Sequence, residues 1–272
     1  MGRDRGRTAS HRRVKVHAPP LMSSTQIAIL TGLMLVTGAI GAITGGNSLI
    51  NVPLMIMVGM TPRQAVATNM FAVTFMTISA TARFARARIL KWKLLLPLGI
   101  ITAITSAIGA LMAVKLPESV VKVVVGISMA ALVVLIALQR KAEPPPPSPA
   151  RRRVGYLVTT VLGIYGGFFS GGYTTLMTVL CTVCFSVTMM ESVAVTKPVN
   201  LVSCVAASVI FFWGGIIDLR IGLPLAAANL VGGWVGAHAA IKGGDRFVRL
   251  LFLLTVAALA AKLIVWDVIL HR

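Results

Sequence analysis

The sequence predicts an all-α polytopic membrane protein of about eight transmembrane helices plus two re-entrant half-helices, arranged in two homologous repeats. Three observations predict it. First, 57% of the 272 residues are hydrophobic and only 12% are charged, and the mean hydropathy is +0.88. A soluble domain carries about 25% charged residues, so this chain has too little polar surface to cover a globule in water. Second, apolar runs recur that are long enough for the ~20 residues a spanning helix needs. Third, these runs follow one order, long, short, long, long, long, and follow it twice.

The elements come in this sequence. Residues 1–20 form a basic tail with no apolar core of their own, so they do not read as a cleavable signal peptide. The first span is expected to act as an uncleaved signal anchor. The first repeat covers 21–139, with apolar runs at 21–43, 48–59, 63–82, 94–114 and 119–139. Residues 140–153 hold four consecutive prolines between Arg140-Lys141 and Arg151-Arg152-Arg153, the composition of a solvated, semi-rigid linker. The second repeat covers 154–270, with runs at 154–169, 175–187, 191–213, 222–241 and 247–270.

Charge suggests a topology. The tail (Arg3, Arg5, Arg7, Arg12, Arg13, Lys15), the 83–93 segment (Arg83, Arg86, Arg88, Lys91, Lys93) and the linker are all basic, as cytoplasmic segments are. The run at 48–59 would reach roughly 18 Å as a helix, short of a ~30 Å hydrocarbon core. Taken as re-entrant, it leaves two crossings on each side of the 83–93 segment. Both termini are then expected in the cytoplasm, with repeats of like orientation about an axis along the membrane normal. A tilted short span in its place would invert this arrangement. The localisation expected is the cell membrane, multi-pass.

The halves also match residue by residue. Thr44-Gly45-Gly46-Asn47-Ser48 follows the first span, and Ser170-Gly171-Gly172-Tyr173-Thr174 stands at the corresponding place. A short apolar run follows each, then Ala67-Thr68-Asn69 in one half and Val195-Thr196-Lys197 in the other. A two-residue insertion reconciles the spacing. The later spans open on Lys91-Trp92-Lys93 and on Asp218-Leu219-Arg220.

These parts resemble the TauE/SafE family of sulfite and organosulfonate exporters. The resemblance rests on Gly38, Gly41, Gly45, Gly46, Pro53 and Gly59 followed by Ala65 to Thr68, and on Gly163, Gly166, Gly167, Gly171 and Gly172 followed by Ala194 to Lys197. It covers nearly all of the chain from Leu21 onward. The chain departs from the family in having two glycines rather than three before Pro53, and Cys181 where the second half's proline is expected. The resemblance implies a secondary carrier that exports a small sulfur-containing anion.

Chemistry places the substrate site at the Gly-Gly breaks. A small oxyanion inside a bilayer needs donors and positive potential, and helix N-termini supply both. Broken helices at matching places in two repeats mark transporter sites. The candidate substrate-binding residues are Gly45, Gly46, Asn47, Ser48, Thr68, Asn69, Gly171, Gly172, Tyr173, Thr174, Thr196 and Lys197. Lys197 stands out because a charge within an apolar helix is costly unless it lines a pathway or finds a partner. Against this, it could snorkel to the interface or pair with Glu191. Arg63, Glu191 and His238 are gating or coupling candidates, His238 for protons.

Other classes are disfavoured. A net charge of +19 would suggest nucleic acid in a soluble protein, but here the charge follows the cytoplasmic-segment pattern. No His-Glu-x-x-His, paired intramembrane aspartates or nucleophile elbow occurs, so no enzyme, metal or cofactor is expected. Cys181 and Cys184 have C-x-x-C spacing without a neighbouring His or carboxylate cluster. The partners expected are a small anion and the lipid bilayer, with proton coupling and homo-oligomers open. A passive anion channel or a carboxylate carrier would use the same fixed charge and glycine breaks.

Overall fold

The computed structural model describes residues 22–137, 146 and 148–269, with side chains over 22–127, 146 and 148–255. The basic tail 1–20 and residues 140–145 and 147 of the linker expected at 140–153 lie outside the described residues. Every described element is a helix: α1 (Ser24–Thr44), α2 (Ser48–Met57), α3 (Pro62–Arg86), α4 (Trp92–Lys115), α5 (Glu118–Ala137), α6 (Pro149–Phe168), α7 (Tyr173–Phe185), α8 (Met189–Trp213) and α9 (Leu219–Ile269). Gly244 breaks α9 with φ 67° and ψ −168°, a conformation open to glycine. Among the described residues, α1, α3, α4 and α8 are long and apolar enough to cross a membrane, and α2 and α7 are shorter apolar helices.

Local signals fix the helix starts. Ser23, Thr61 and Thr188 each form a capping box with the residue three positions on: Gln26, Gln64 and Glu191. The box satisfies two backbone N–H groups that a helix start leaves unpaired. Pro62 and Pro149 occupy the first turn, where a missing N–H costs nothing.

The exterior is far more apolar than that of a protein in water, while hydroxyl groups join the apolar side chains inside. On α4, Leu96, Ile100, Ile104 and Ile108 recur every four residues and face outward, Ile100 and Ile104 each 62% exposed. Thr102, Thr105 and Ser106 on the same helix are buried. Ser106 Oγ lies 2.7 Å from Ser203 Oγ on α8 and donates to the Gly163 carbonyl on α6 at 3.0 Å. An apolar exterior around a hydrogen-bonded polar interior suits lipid as solvent.

Helices are exchanged between the two parts of the chain. α4 packs against α6 and α8, and the part of α9 before Gly244 packs against α1 and α3. Small residues permit the approach: a methyl on Gly232 or Gly236 would overlap the carbonyls of Leu35 or Ala39 on α1, and one on Gly109 would overlap the Ile164 carbonyl on α6.

The ends of the bundle are distinct. At one end Arg63 Nε lies 3.4 Å from Glu118, and the Arg63 guanidinium also donates to the Leu116 carbonyl. The Arg63 backbone N–H donates to the same carboxylate at 2.8 Å. At the other end Lys91 pairs with Glu191 at 2.9 Å, and the Met190 N–H donates to Asp245 at 2.8 Å. Helix α4 connects the two ends, so α3 and α8 start at opposite ends and run antiparallel. The first part of α9 runs alongside α1 in the same sense, with Asn229 against Gly38, Gly232 against Leu35 and Gly236 against Ala39 and Ala42. It finishes beside Arg83, near the 87–91 turn. Thus α1 begins at the Arg63 end, whereas α6 begins at the Glu191 end, where Arg152 shares a pocket with Lys91 and Lys93.

This path differs from the like-oriented arrangement expected from charge, since α1 and α6 start at opposite ends of the bundle. The physical reason lies in α2. It folds back along α1, with Thr37 Oγ1 donating to Asn51 Oδ1 at 2.8 Å. The pair is therefore a hairpin that returns toward the start of α1. Counting α1 as a full crossing made the number of crossings even where the path makes it odd.

Candidate functional site

The two helix breaks meet. Gly45 ends α1 in the left-handed conformation at φ 81°, and its N–H donates to the Gly41 carbonyl at 2.8 Å. Gly172, at φ 72°, opens α7. Thr174 Oγ1 donates to the Gly45 carbonyl at 3.0 Å, and Thr175 Oγ1 donates to the Thr44 carbonyl at 2.8 Å. The carbonyls that α1 leaves unpaired at its C-terminus are thus met by hydroxyls at the start of α7. A side chain on Gly45 would occupy the place of Thr174 Oγ1.

Lys197 reaches the same place from α8. Its side chain is fully buried, and Nζ donates to the Gly41 carbonyl at 2.9 Å. No carboxylate pairs with it among the described residues. Lys197 lies nine residues past the Thr188 cap, so it neither snorkels to the helix end nor reaches Glu191, which is engaged by Lys91. Burying an ammonium costs several kcal/mol unless an opposite charge accompanies it, and one carbonyl is a small return for that.

Polar groups surround this charge. Asn47 precedes α2 without capping it by its side chain and packs against Gly41, with Nδ2 3.6 Å from Met76 Sδ. Asn69 Nδ2 donates to Ser48 Oγ at 2.9 Å, while Asn69 Oδ1 is buried without a partner. Asn51 Nδ2 is likewise buried and unpartnered. Such atoms are uncommon in folded proteins and call for an explanation. From the breaks a hydroxyl ladder follows α7 and α8: Thr178 Oγ1 lies 3.3 Å from Thr196 Oγ1, and Thr182 Oγ1 lies 2.9 Å from Ser192 Oγ. It points toward a basic pocket of about 300 Å³ at the Glu191 end, lined by Lys91, Lys93, Arg152 and Ser186 among others.

The structure therefore gathers Gly45, Gly46, Asn47, Ser48, Asn69, Gly172, Thr174, Thr196 and Lys197 into one buried region around the breaks. Gly171 is buried against Phe169 and Leu49. Tyr173 points away, its hydroxyl 3.2 Å from Thr102 Oγ1 on α4. Thr68 Oγ1 accepts from the Asp218 N–H at 3.4 Å, which ties it to the α9 start rather than to Lys197. The capping boxes place Asn69 eight residues past Thr61 and Lys197 nine past Thr188, so these two are not register mates. Arg63 and Glu191 sit at opposite ends of the bundle. His238 Nδ1 lies 2.8 Å from Arg83 at the bundle surface and is not part of the site.

Sequence reasoning missed Gly41, Asn51, Thr175, Thr178, Thr182 and Ser192. The spacing of Thr174, Thr178 and Thr182 was a usable signal, since residues four apart share one helix face. Nothing local marks the Gly41 carbonyl.

Comparison with known proteins bears on the whole of this arrangement. A protein of Haemophilus influenzae named "Probable membrane transporter protein" is 27% identical over 244 residues, covering 88% of this chain and 94% of that protein. A Sinorhizobium protein, "Probable membrane transporter protein ORF9", is 26% identical over 240 residues, covering 88% and 92%. The Escherichia coli K12 protein "Probable membrane transporter protein YfcA" is 26% identical over 256 residues, covering 90% and 91%. No solved structure matches the chain significantly. The family described as "Sulfite exporter TauE/SafE" matches residues 30–263, both breaks included. The chain belongs to the TauE/SafE family.

Proposed function

We propose that this protein is a secondary membrane transporter that exports a small sulfur-containing oxyanion, sulfite or an organosulfonate such as sulfoacetate, through a site where two helix breaks meet. The observation that carries the proposal is Lys197: a fully buried amine with no counter-ion among the described residues, beside the carbonyl end of α1. A bound anion supplies the missing charge. Asn47, Ser48, Asn69, Thr174 and Thr196 supply hydrogen bonds around it, and the orphaned Asn51 Nδ2 adds an unused donor. The family and the names of the relatives support transport, and the family's description supports sulfite as the first anion to test.

In this proposal the eight long and two short apolar segments form two homologous repeats of opposite orientation, each a long–short hairpin (α1–α2, α6–α7) followed by three crossings. The exchange of α4 and the first part of α9 between halves supports that symmetry. The end carrying Arg83, Arg86, Arg88, Lys91, Lys93 and Arg151 to Arg153 faces the cytoplasm, and the start of α1 faces the other side. Arg63 with Glu118 closes one end and Lys91 with Glu191 the other. Two closed ends favour an alternating carrier over an open channel.

Thermal unfolding of the purified protein with sulfite, sulfonates, sulfate, carboxylates and divalent cations tests the substrate, because a ligand at 100 times its Kd stabilises the folded state by about 2.7 kcal/mol. Selective stabilisation by a sulfur oxyanion that disappears in Lys197→Met is expected. In proteoliposomes the same variant should lose at least ~100-fold in flux while remaining folded, the loss of a transmembrane charge partner being large. Flux that survives Lys197→Met would refute the site. Stabilisation by carboxylates alone would keep the site and replace the substrate.

A further inference from the structure

A second feature, away from the helix breaks, faces the bilayer. Between α3 and α9 runs an outward groove of about 430 Å³, lined by Ser79, Leu230, Val231, Trp234 and Val235. Its wall is apolar. At the end of the groove toward the 87–91 turn stand two guanidiniums. Arg83 lies 5.7 Å and Arg86 5.1 Å from the centroid of the Trp234 ring, and Arg83 Nη2 is 2.8 Å from His238 Nδ1. Neither arginine makes an ion pair among the described residues.

We propose that this groove holds an anionic phospholipid, with an acyl chain along Val231 and Val235 and the phosphate on Arg83 and Arg86. Trp234 joins the two parts of the site, since it lines the groove and also lies beneath both guanidiniums. Arginine presents a planar fork of donors suited to phosphate, and stacking on an aromatic ring orients that fork. Tryptophan favours the depth of lipid headgroups, where a phosphate would lie. Basic residues in the last turn of α3 also complement its helix dipole, but that role asks neither for both side chains to gather on one ring of another helix nor for an apolar groove leading away from them. The charge commits the occupant: a second copy of this chain would bring an apolar helix face, and a zwitterionic lipid would bring its own cation to the arginines.

The test is native mass spectrometry of the full-length protein released from micelles with dioleoyl phosphatidylglycerol or dioleoyl phosphatidylcholine. At least five-fold greater retention of phosphatidylglycerol is expected. It should fall to the phosphatidylcholine level in Arg83→Gln/Arg86→Gln, and fall also in Val231→Trp, which fills the groove while leaving the arginines. Arg86→Gln alone, at an exposed side chain, gives a second test should the double variant fail to fold, with retention expected to drop at least two-fold. Equal retention of the two lipids, or retention unchanged by Arg86→Gln, would overturn the proposal. Full competition by glycerol phosphate, which has no acyl chain, would overturn it too and assign the arginines to a free anion.

Discussion

The break after α1 and the break after α6 differ in where the left-handed glycine sits. Gly45 closes the outgoing helix, so Gly41, Thr44 and Gly45 itself present carbonyls. At the second break α6 ends in extended conformation at Phe169, and Gly172 opens the incoming helix. Its neighbours Thr174 and Thr175 present hydroxyl donors. One break is an acceptor surface and the other a donor surface, and Lys197 joins the donors. Two similar sequence motifs thus yield complementary rather than identical chemistry, and the breaks bind each other before either binds a ligand.

That comparison can be broken at the glycines first. Gly45→Ala should have the largest effect. A non-glycine residue in the left-handed region costs roughly 1–2 kcal/mol, and the added methyl displaces Thr174 Oγ1. Loss of monodisperse protein in detergent, or a strongly lowered unfolding transition, is expected. Gly171→Ala should cost less, because Gly171 is outside the left-handed region, although its methyl would press on the buried Phe169 ring and meet the Leu49 side chain at 3.1 Å. Equal losses would mean that the two breaks are equivalent after all.

Thr174→Val and Thr175→Val come next. Each removes one hydroxyl donor to a carbonyl of α1, worth about 1 kcal/mol, read as a shift in chemical unfolding. A null result in both would show that the breaks are held by packing alone.

The smallest effect belongs to the two ends. Glu118→Gln and Glu191→Gln should each change stability by no more than about 1 kcal/mol, since their carboxylates are 41% and 26% exposed. They should differ in thiol labelling. Cys184, buried at the end of α7 beside Phe185, which lines the pocket with Glu191, should label several-fold faster in Glu191→Gln and at the unchanged rate in Glu118→Gln. Equal labelling in both would remove Glu191 from the closure of that end.

Much of the helix layout was legible. Apolar runs located α2, α3 and α4 to within a few residues, because a helix in lipid needs only length and hydrophobicity. α6 starts at Pro149 rather than near 154, because three arginines do not end a helix and a proline at its first turn helps to begin one. The bend at Gly244 falls in the gap between the runs at 222–241 and 247–270. Helix partners and relative direction were not legible. Hydropathy tells which residues avoid water, yet every face of a membrane helix avoids it, so Gly232 and Gly236 do not announce that α1 will cover them. In the site, Lys197 was conspicuous as a charge among apolar residues. Its acceptor was not, since any carbonyl can serve and only the αL turn at Gly45 leaves Gly41 open to a second donor.

The exchanged helices also set a timetable for making the protein. The surface between α1 and α3 is covered by the glycine-bearing residues 219–243, which leave the ribosome about 150 residues after α3 is complete. At roughly 5–20 residues per second, the first helices wait roughly eight to thirty seconds for their partner. During that interval the nascent chain holds carbonyls and buried hydroxyls open to whatever shares the insertion site. Two separately expressed halves would each be born without the helix that completes them, so coexpression in one membrane, rather than mixing after purification, is the route by which a split version should assemble.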